Sequence, residues 1–297
     1  MMPVSGILNL NKPTGITSRR VVDIVERLAR PAKAGHAGTL DPLATGVLVV
    51  CVGSATRLIE YVQRMPKRYR GTFLLGRESP TEDIEGPVTE LPAAPIPTPE
   101  ELHAAASRLV GRIQQRPPAF SALKVRGRPA YRLARQGRPP CLAARPVDVF
   151  RIEIKTYQYP ELVLEVDCGG GTYLRSLGRD LAQSLGTAAV MSALERISIG
   201  CFELGDSLDP RGLCQDAWSS HLQPPLAAVD RLPRIALAAD ELARLCNGLP
   251  IERDLGLDSA GAGPPELAAL DDQGRLVAIL EVAGPRRWKV RRALWAP

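Results

Sequence analysis

Apolar residues recur at helical spacing in some stretches of the chain and run unbroken or alternate in others, and the two periods predict a mixture of helices and strands. Ile7 to Leu10 reads as a short strand and Lys12 to Gly15 as a turn. Thr17 or Ser18 then caps a helix whose Val21, Val22, Val25 and Leu28 share one face, and Pro31 ends it. Val47 to Val52 is apolar and β-branched enough for a buried strand. After a basic turn, KRYRG, a short strand is expected over Thr72 to Leu75, with Tyr69 kept near the surface by its charged neighbours. Prolines crowd Leu91 to Pro99, a spacer before a helix that begins near Glu100. Phe150 to Tyr157 and Leu162 to Asp167 alternate like the two arms of a hairpin. Gly169 to Gly171 then leads into a helix buried along Leu174, Leu177, Leu181 and Leu185. Tyr173 and Arg175 lie at its N-terminus, off that ridge.

Pro224 and Pro225 mark a break, followed by a short helix and a glycine turn. From Glu266 the segments ELAAL, RLVAILEVAG and RWKVRRALW read as three short strands. The predicted organisation is a large unit over residues 1–231 and a small β-rich unit over 232–297. A length of 297 residues is enough for such a division. Aromatic residues make up only 4% of the chain, so the core rests on Leu, Val, Ile and Ala. No apolar run approaches a membrane span, and the first residues lack the pattern of a signal peptide, so a cytoplasmic location is expected. The six cysteines are scattered without a CxxC pair and there are three histidines, a pattern of reduced thiols with no metal site expected.

Charge changes the picture more than composition does. Between Leu102 and Val147 there is no acid, while ten Lys and Arg residues fall in the same stretch. A segment of one sign repels itself unless a polyanion is near. Its prolines, glycines and arginines suggest an extended, mobile arm over about 115–147. A second basic cluster, GPRRWKVRR, surrounds Trp288. Arginine beside an aromatic suits RNA, because guanidinium groups pair with phosphates and both groups stack on bases.

Asp41 has the opposite setting. From Gly35 to Val50 it is the sole acid, and there is no Lys or Arg. Gly35, Gly38 and Gly46 open backbone conformations closed to other residues, and Pro42 biases Asp41 away from the helical region. The isolated carboxylate therefore sits on a shaped loop anchored by a buried strand, although a helix cap or an Asx turn is the ordinary role of an Asp-Pro pair. A P-loop is excluded because Val47 and Leu48 follow Gly46, and a hydrolase triad has no GxSxG elbow. Considered alone, Arg175 would form a surface ion pair with a neighbour such as Asp180.

The segments GILNLNKPTGITS, GTLDPLATGVL, KRY, PPAFSALKVRGRPAYRLARQG, GTYLRSL and LERISIGCF occur in that order. Together they resemble the TruB family of tRNA pseudouridine synthases over about Gly6 to Phe202. That resemblance implies an α+β pseudouridine synthase fold, with a mixed, mainly antiparallel sheet flanked by helices and a small C-terminal PUA-like domain. It implies conversion of uridine 55 to pseudouridine in the TΨC loop of tRNA, with no cofactor, by a monomer that contacts the T-arm. Asp41 matches the essential aspartate, and His36 the histidine near the flipped nucleotide. Tyr69 matches the residue stacked on the base, Arg175 the arginine that pairs with the carboxylate, Tyr173 the tyrosine of the same segment, and Leu194 the apolar wall. Lys12, Lys67, Arg68, Lys124, Arg126 and Arg135 are expected to touch RNA. Two positions depart from the pattern: Ser79 and Pro80 precede Asp83 and Gly86 where a Thr-Asp pair is usual, and Asn11 replaces an Asp. The competing functions are a related synthase acting on another RNA and a non-catalytic RNA-binding or chaperone protein.

Overall fold

The computed structural model describes residues 4–125, 127–254, 266–284 and 286–295. Strand β1 (Gly6–Lys12) leads to helix α1 (Ser18–Ala29), where the Thr17 side chain accepts from the Arg20 backbone N–H and Val21, Val22 and Val25 are buried. Strands β2 (Ala34–His36) and β3 (Thr45–Val52) flank the Asp41 loop, and helix α2 (Ile59–Arg64) precedes β4 (Lys67–Leu75). Alternate residues of β3 enter different clusters. Val47, Val49 and Cys51 pack on one face, Leu48, Val50 and Val52 on the other, which is why its sequence is apolar throughout.

A small hairpin, β5 (Arg77–Glu78) with β6 (Thr89–Glu90), is followed by α3 (Pro99–Arg108). The start of α3 has a capping box between Thr98 and Glu101 with Pro in the first turn, one residue before the start expected near Glu100. Next come β7 (Gly111–Gln115), the hairpin β8 (Lys124–Val125) and β9 (Arg128–Pro129), and helix α4 (Ala130–Arg135). The basic arm is thus partly ordered into a hairpin and a helix, where an extended segment was expected. The alternating strands β10 (Arg145–Gln158) and β11 (Glu161–Cys168) form the predicted hairpin. Helix α5 (Leu174–Gln183) buries Leu174, Leu177 and Leu181; Leu185 lies past its end but packs on the same cluster. Strands β12 (Ala189–Ile199) and β13 (Phe202–Glu203) complete the large unit.

The main sheet runs β1-β3-β12-β4-β11-β10-β7, with β2 beside β3 and β13 beside β12. All of these pairs are antiparallel except β3 with β12, which is parallel. The expected mixed, mainly antiparallel sheet is therefore present. Strand β4 starts five residues earlier than the sequence suggested. Lys67, Tyr69 and Gly71 point inward and Arg68 and Arg70 outward, so what looked like a basic turn is an alternating strand. Its outward arginines meet acids on the neighbouring strands, Arg68 with Asp167 at 2.7 Å and Arg70 with Glu195 at 3.3 Å.

The C-terminal unit comprises β14 (Arg234–Ala236), α6 (Ala239–Cys246), β15 (Ile251–Glu252), β16 (Glu266–Leu270), β17 (Leu276–Gly284) and β18 (Arg287–Ala293). Its sheet has the order β14-β16-β17-β18-β15, two strands more than the three predicted. Ala268, Leu276, Ile279 and Leu294 share a buried cluster with Val47 and Val49 of the main sheet. Arg292 reinforces the contact with Glu60 of α2 at 2.8 Å.

Candidate active site

The Asp41 loop connects β2 to β3 and is pinned from both sides. On one side, Ser18 Oγ donates to the Leu40 carbonyl (3.0 Å) and accepts from the Leu40 N–H (2.8 Å). Thr14 Oγ1 donates to Leu43, and the Gly15 N–H donates to Pro42. The ammonium of Lys12 donates to the carbonyls of Pro13, Ile16 and Pro42. On the other side, Arg196 Nε donates to the Val47 carbonyl at 2.7 Å and Nη2 to that of Gly38 at 3.1 Å. The carboxylate thus sits on a backbone that cannot drift, which is what pre-organisation requires.

Asp41 is not alone. Arg175 Nη2 lies 3.0 Å from Asp41 Oδ2, and Nη1 lies 3.2 Å from Asp83 Oδ2. The same fork donates to the carbonyls of Thr81 and Phe120, so the guanidinium has a partner on each side. The Arg175 side chain is 5% exposed and that of Asp41 35%, so the arginine is behind and the carboxylate in front. Asp180, the surface partner considered for Arg175, pairs with Arg179 instead. Asp83 is oriented by the Thr81 hydroxyl at 2.6 Å and the Glu85 N–H at 3.1 Å, so the departure at Ser79 and Pro80 leaves this turn hydrogen-bonded.

In front of Asp41 lies a cavity of about 350 Å³ lined by Tyr69, Tyr173, Arg175, Met191, Leu194, Lys67, Ser121 and Arg196 among others. Tyr69 is buried, contrary to the surface position expected; β4 turns it inward, opposite Arg196 on β12. Burial raises its phenol above the usual range, while Arg196 acts in the opposite direction. Tyr173 is held by a reciprocal pair of bonds between its backbone and the side-chain amide of the buried Gln115 (2.8 and 3.1 Å). The guanidinium of Arg145 also lies 5.4 Å from its ring centroid. Leu194 on β12 forms the apolar wall.

Several expected contacts are corrected. Lys12 is fully buried, and its three carbonyl partners make it a staple for the Asp41 loop instead of a phosphate contact; burial lowers its ammonium to about 8. Lys67 is also buried. It donates to Gln63 and Met65 carbonyls and lines the cavity, and burial followed by nearby Arg196 lowers it to about 8. His36 lies in β2 and does not line the cavity; burial first and Arg196 second hold its imidazole below the usual range. Arg68, Lys124 and Arg135 are exposed, and Arg126 lies outside the described residues.

Asp83 and Arg196 were not singled out as site residues. Arg196 carried a signal: strand alternation puts it on the same face as Leu194, two residues earlier. Burial pushes Cys51 up to about 12 and Cys168 up to about 11, so neither supplies a thiolate near neutral pH. Among the described residues no three His, Cys, Asp or Glu side chains are grouped to hold a metal ion, and no helix is long and apolar enough to cross a membrane.

Fold and site together define a cavity walled by tyrosines and Leu194, with one partly exposed carboxylate held from behind by a buried arginine. Residues 26–174 match the TruB family pseudouridylate synthase N-terminal domain. The chain is 38% identical to the tRNA pseudouridine synthase B of Dehalococcoides mccartyi, covering 99% of this chain and 98% of that one. It is 39% identical to the protein of the same name in Mycobacterium tuberculosis, covering 95% and 93%. In fold it is similar to the crystal structure of a Cbf5-Nop10-Gar1 complex, with a TM-score of 0.73 and 23% identity over 97% of this chain and 84% of that chain. The chain belongs to the TruB family of pseudouridine synthases.

Proposed function

We propose that this protein isomerises uridine 55 of tRNA to pseudouridine in the TΨC loop, with Asp41 as the reacting carboxylate. The observation that carries this reading is the 3.0 Å pair between Asp41 and the buried Arg175 at the mouth of an aromatic-walled cavity. The relatives named tRNA pseudouridine synthase B supply the tRNA.

The chemistry asks three things of these residues. A loop base must first leave its stack, which costs a few kcal/mol, and stacking on one aromatic ring returns about 1–3 kcal/mol. Tyr69 takes that role, and Leu194 closes the pocket against water. The carboxylate must then be ionised, and Arg175 favours that form by charge and hydrogen bond. Ionised Asp41 either bonds to the ribose or the base, or removes a ribose proton. Finally the tRNA must be held, and exposed Lys124 and Arg135 of the basic arm offer positive charge for its phosphates.

The test compares wild type with Asp41→Asn on a tRNA transcript, reading pseudouridine after digestion and binding by filter retention. The expected result is normal binding and no pseudouridine from the variant. Turnover by Asp41→Asn removes Asp41 from the reaction, and wild type that binds the transcript but leaves uridine 55 unchanged overturns the proposed substrate.

A further inference from the structure

Two guanidinium groups are buried at this site, and they are partnered differently. Arg175 faces two carboxylates, Asp41 and Asp83. Arg196 is 1% exposed and meets only neutral oxygens: the carbonyls of Val47 and Gly38, and the Tyr69 hydroxyl at 3.5 Å. Its guanidinium carbon lies 5.9 Å from the Tyr69 ring centroid. Among the described residues no carboxylate reaches it as an ion-pair partner. Lys67, on the same wall, donates only to the carbonyls of Gln63 and Met65.

A buried charge without a counter-charge is costly, and two carbonyls can be held by a neutral amide at lower cost. The charge itself therefore needs a reason. Burial is the main cause of the lowered Lys67 ammonium and His36 imidazole, and the charge of Arg196 adds to both and opposes the effect of burial on Tyr69. Arg196 and Lys67 both line the cavity and give its wall positive charge, while the negative charge of Asp41 is matched by Arg175.

Uracil is neutral while bound to ribose and negative once detached. The C1′–N1 bond breaks with its electron pair on N1, spread over O2 and O4. C1′ is left bonded to an Asp41 oxygen, or C1′ and C2′ are left doubly bonded after Asp41 has taken the C2′ proton. The ring then turns, C5 bonds to C1′, the C5 proton leaves, N1 gains a proton, and Asp41 is released or returns its proton to C2′. Nothing is oxidised and no water is consumed. We propose that Arg196 stabilises the detached uracil anion, acting through the positive potential it places in the cavity and through its hold on Tyr69. This rests on the pseudouridine synthase reading above. A fixed cation that meets charge only after bond breaking lowers the barrier without tightening ground-state binding, which is differential stabilisation.

The test uses the full-length protein in single-turnover reactions on tRNA carrying either uridine or 5-fluorouridine at the target position. Loss of the starting nucleoside is read after digestion. Fluorine stabilises the uracil anion by itself, so the substituted substrate needs the cation less. Arg196→Gln is expected to lose about a hundredfold on uridine and about tenfold or less on 5-fluorouridine, with tRNA binding unchanged. Arg196→Lys keeps the charge and is expected to stay within about tenfold of wild type on uridine. Equal losses of Arg196→Gln on the two substrates, or less than about threefold loss on uridine, overturn the proposal. If Arg196→Gln does not fold, Arg196→Lys carries the test: about a hundredfold loss on uridine with intact binding overturns the proposal, and near-normal turnover supports it. Failure of wild type on uridine would instead strike at the proposed function.

Discussion

Helix α5 presses so closely on the sheet that Gly178 leaves no room for a side chain. A Cβ at that position would lie 2.2 and 2.3 Å from two ring atoms of Phe73, a residue that is itself fully buried. Restoring the shortest ordinary contact, 3.4 Å, needs a displacement of 3.4 − 2.2 = 1.2 Å by the helix or the ring. Gly178→Ala gains about 1 kcal/mol in helix propensity and loses about 1–3 kcal/mol to overpacking, so the net destabilisation is about 0–2 kcal/mol. At about 2–4 °C per kcal/mol the melting temperature falls by at most about 8 °C. Activity falls further. Arg175 is three residues before Gly178 on the same helix, so the shift carries its fork away from Asp41, and a misplacement of about 1 Å costs on the order of a hundredfold in rate. Thermal unfolding and single-turnover pseudouridine formation measure both effects. Phe73→Leu in the Gly178→Ala background is expected to restore part of the rate by making room. A Gly178→Ala protein with unchanged melting temperature and a rate within about threefold of wild type would refute the reasoning.

Asp83→Asn leaves Arg175 with one carboxylate in a buried setting; breaking such a pair costs about 3–5 kcal/mol. A lowered denaturant midpoint and reduced turnover with normal tRNA binding are expected, and unchanged values would show that Asp83 is a bystander. Lys67 has a folded-state value of about 8 against its ordinary 10.5. Between those values the unfolded chain holds more protons on it than the folded chain does, so its contribution to stability rises with pH in that window. Lys67→Met is expected to flatten the rise of the urea midpoint between about pH 8 and about pH 9.5, and an unaltered slope would refute the assignment. Replacing exposed Lys124 and Arg135 by Gln weakens tRNA binding and makes its dependence on log salt shallower by about 1–2 units, whereas equal slopes would place the arm off the RNA.

The readable parts of the sequence were those where one physical effect dominated. Val47 to Val52 is apolar at every position because both faces of β3 are covered, and Thr17 announces the helix it caps. The family motifs identified Asp41, Arg175, Tyr69, Tyr173 and Leu194 as residue types, and the fold brings all five to one cavity. Burial of the lysines was not legible, because a lysine buried against carbonyls looks like a lysine in water. Lys12 and Lys67 each satisfy their ammonium with backbone oxygens, and no local pattern reports where those oxygens lie. The start of β4 was missed for a related reason. Its outward arginines are answered by Asp167 and Glu195, which come from β11 and β12, about a hundred residues further along the chain.

The register of three neighbouring strands explains how such distant residues become one site. Arg196 of β12 is the cross-strand partner of Tyr69 on β4 and the parallel partner of Gly46 on β3. Gly46 has φ +98°, and a Cβ there would lie 2.3 Å from the Arg196 carbonyl oxygen, so both its conformation and its lack of a side chain permit the contact. That parallel pairing covers only two residues in an otherwise antiparallel sheet. Yet it fixes the start of β3, and therefore the Asp41 loop, beside the strand that carries Leu194 and Arg196. The Gly46 of the sequence motif thus shapes the cavity at a distance. It lets β3 approach β12 closely enough for one guanidinium to hold the carbonyls on both sides of the Asp41 loop while facing Tyr69, so the position of the carboxylate and the potential in the cavity depend on the same strand contact.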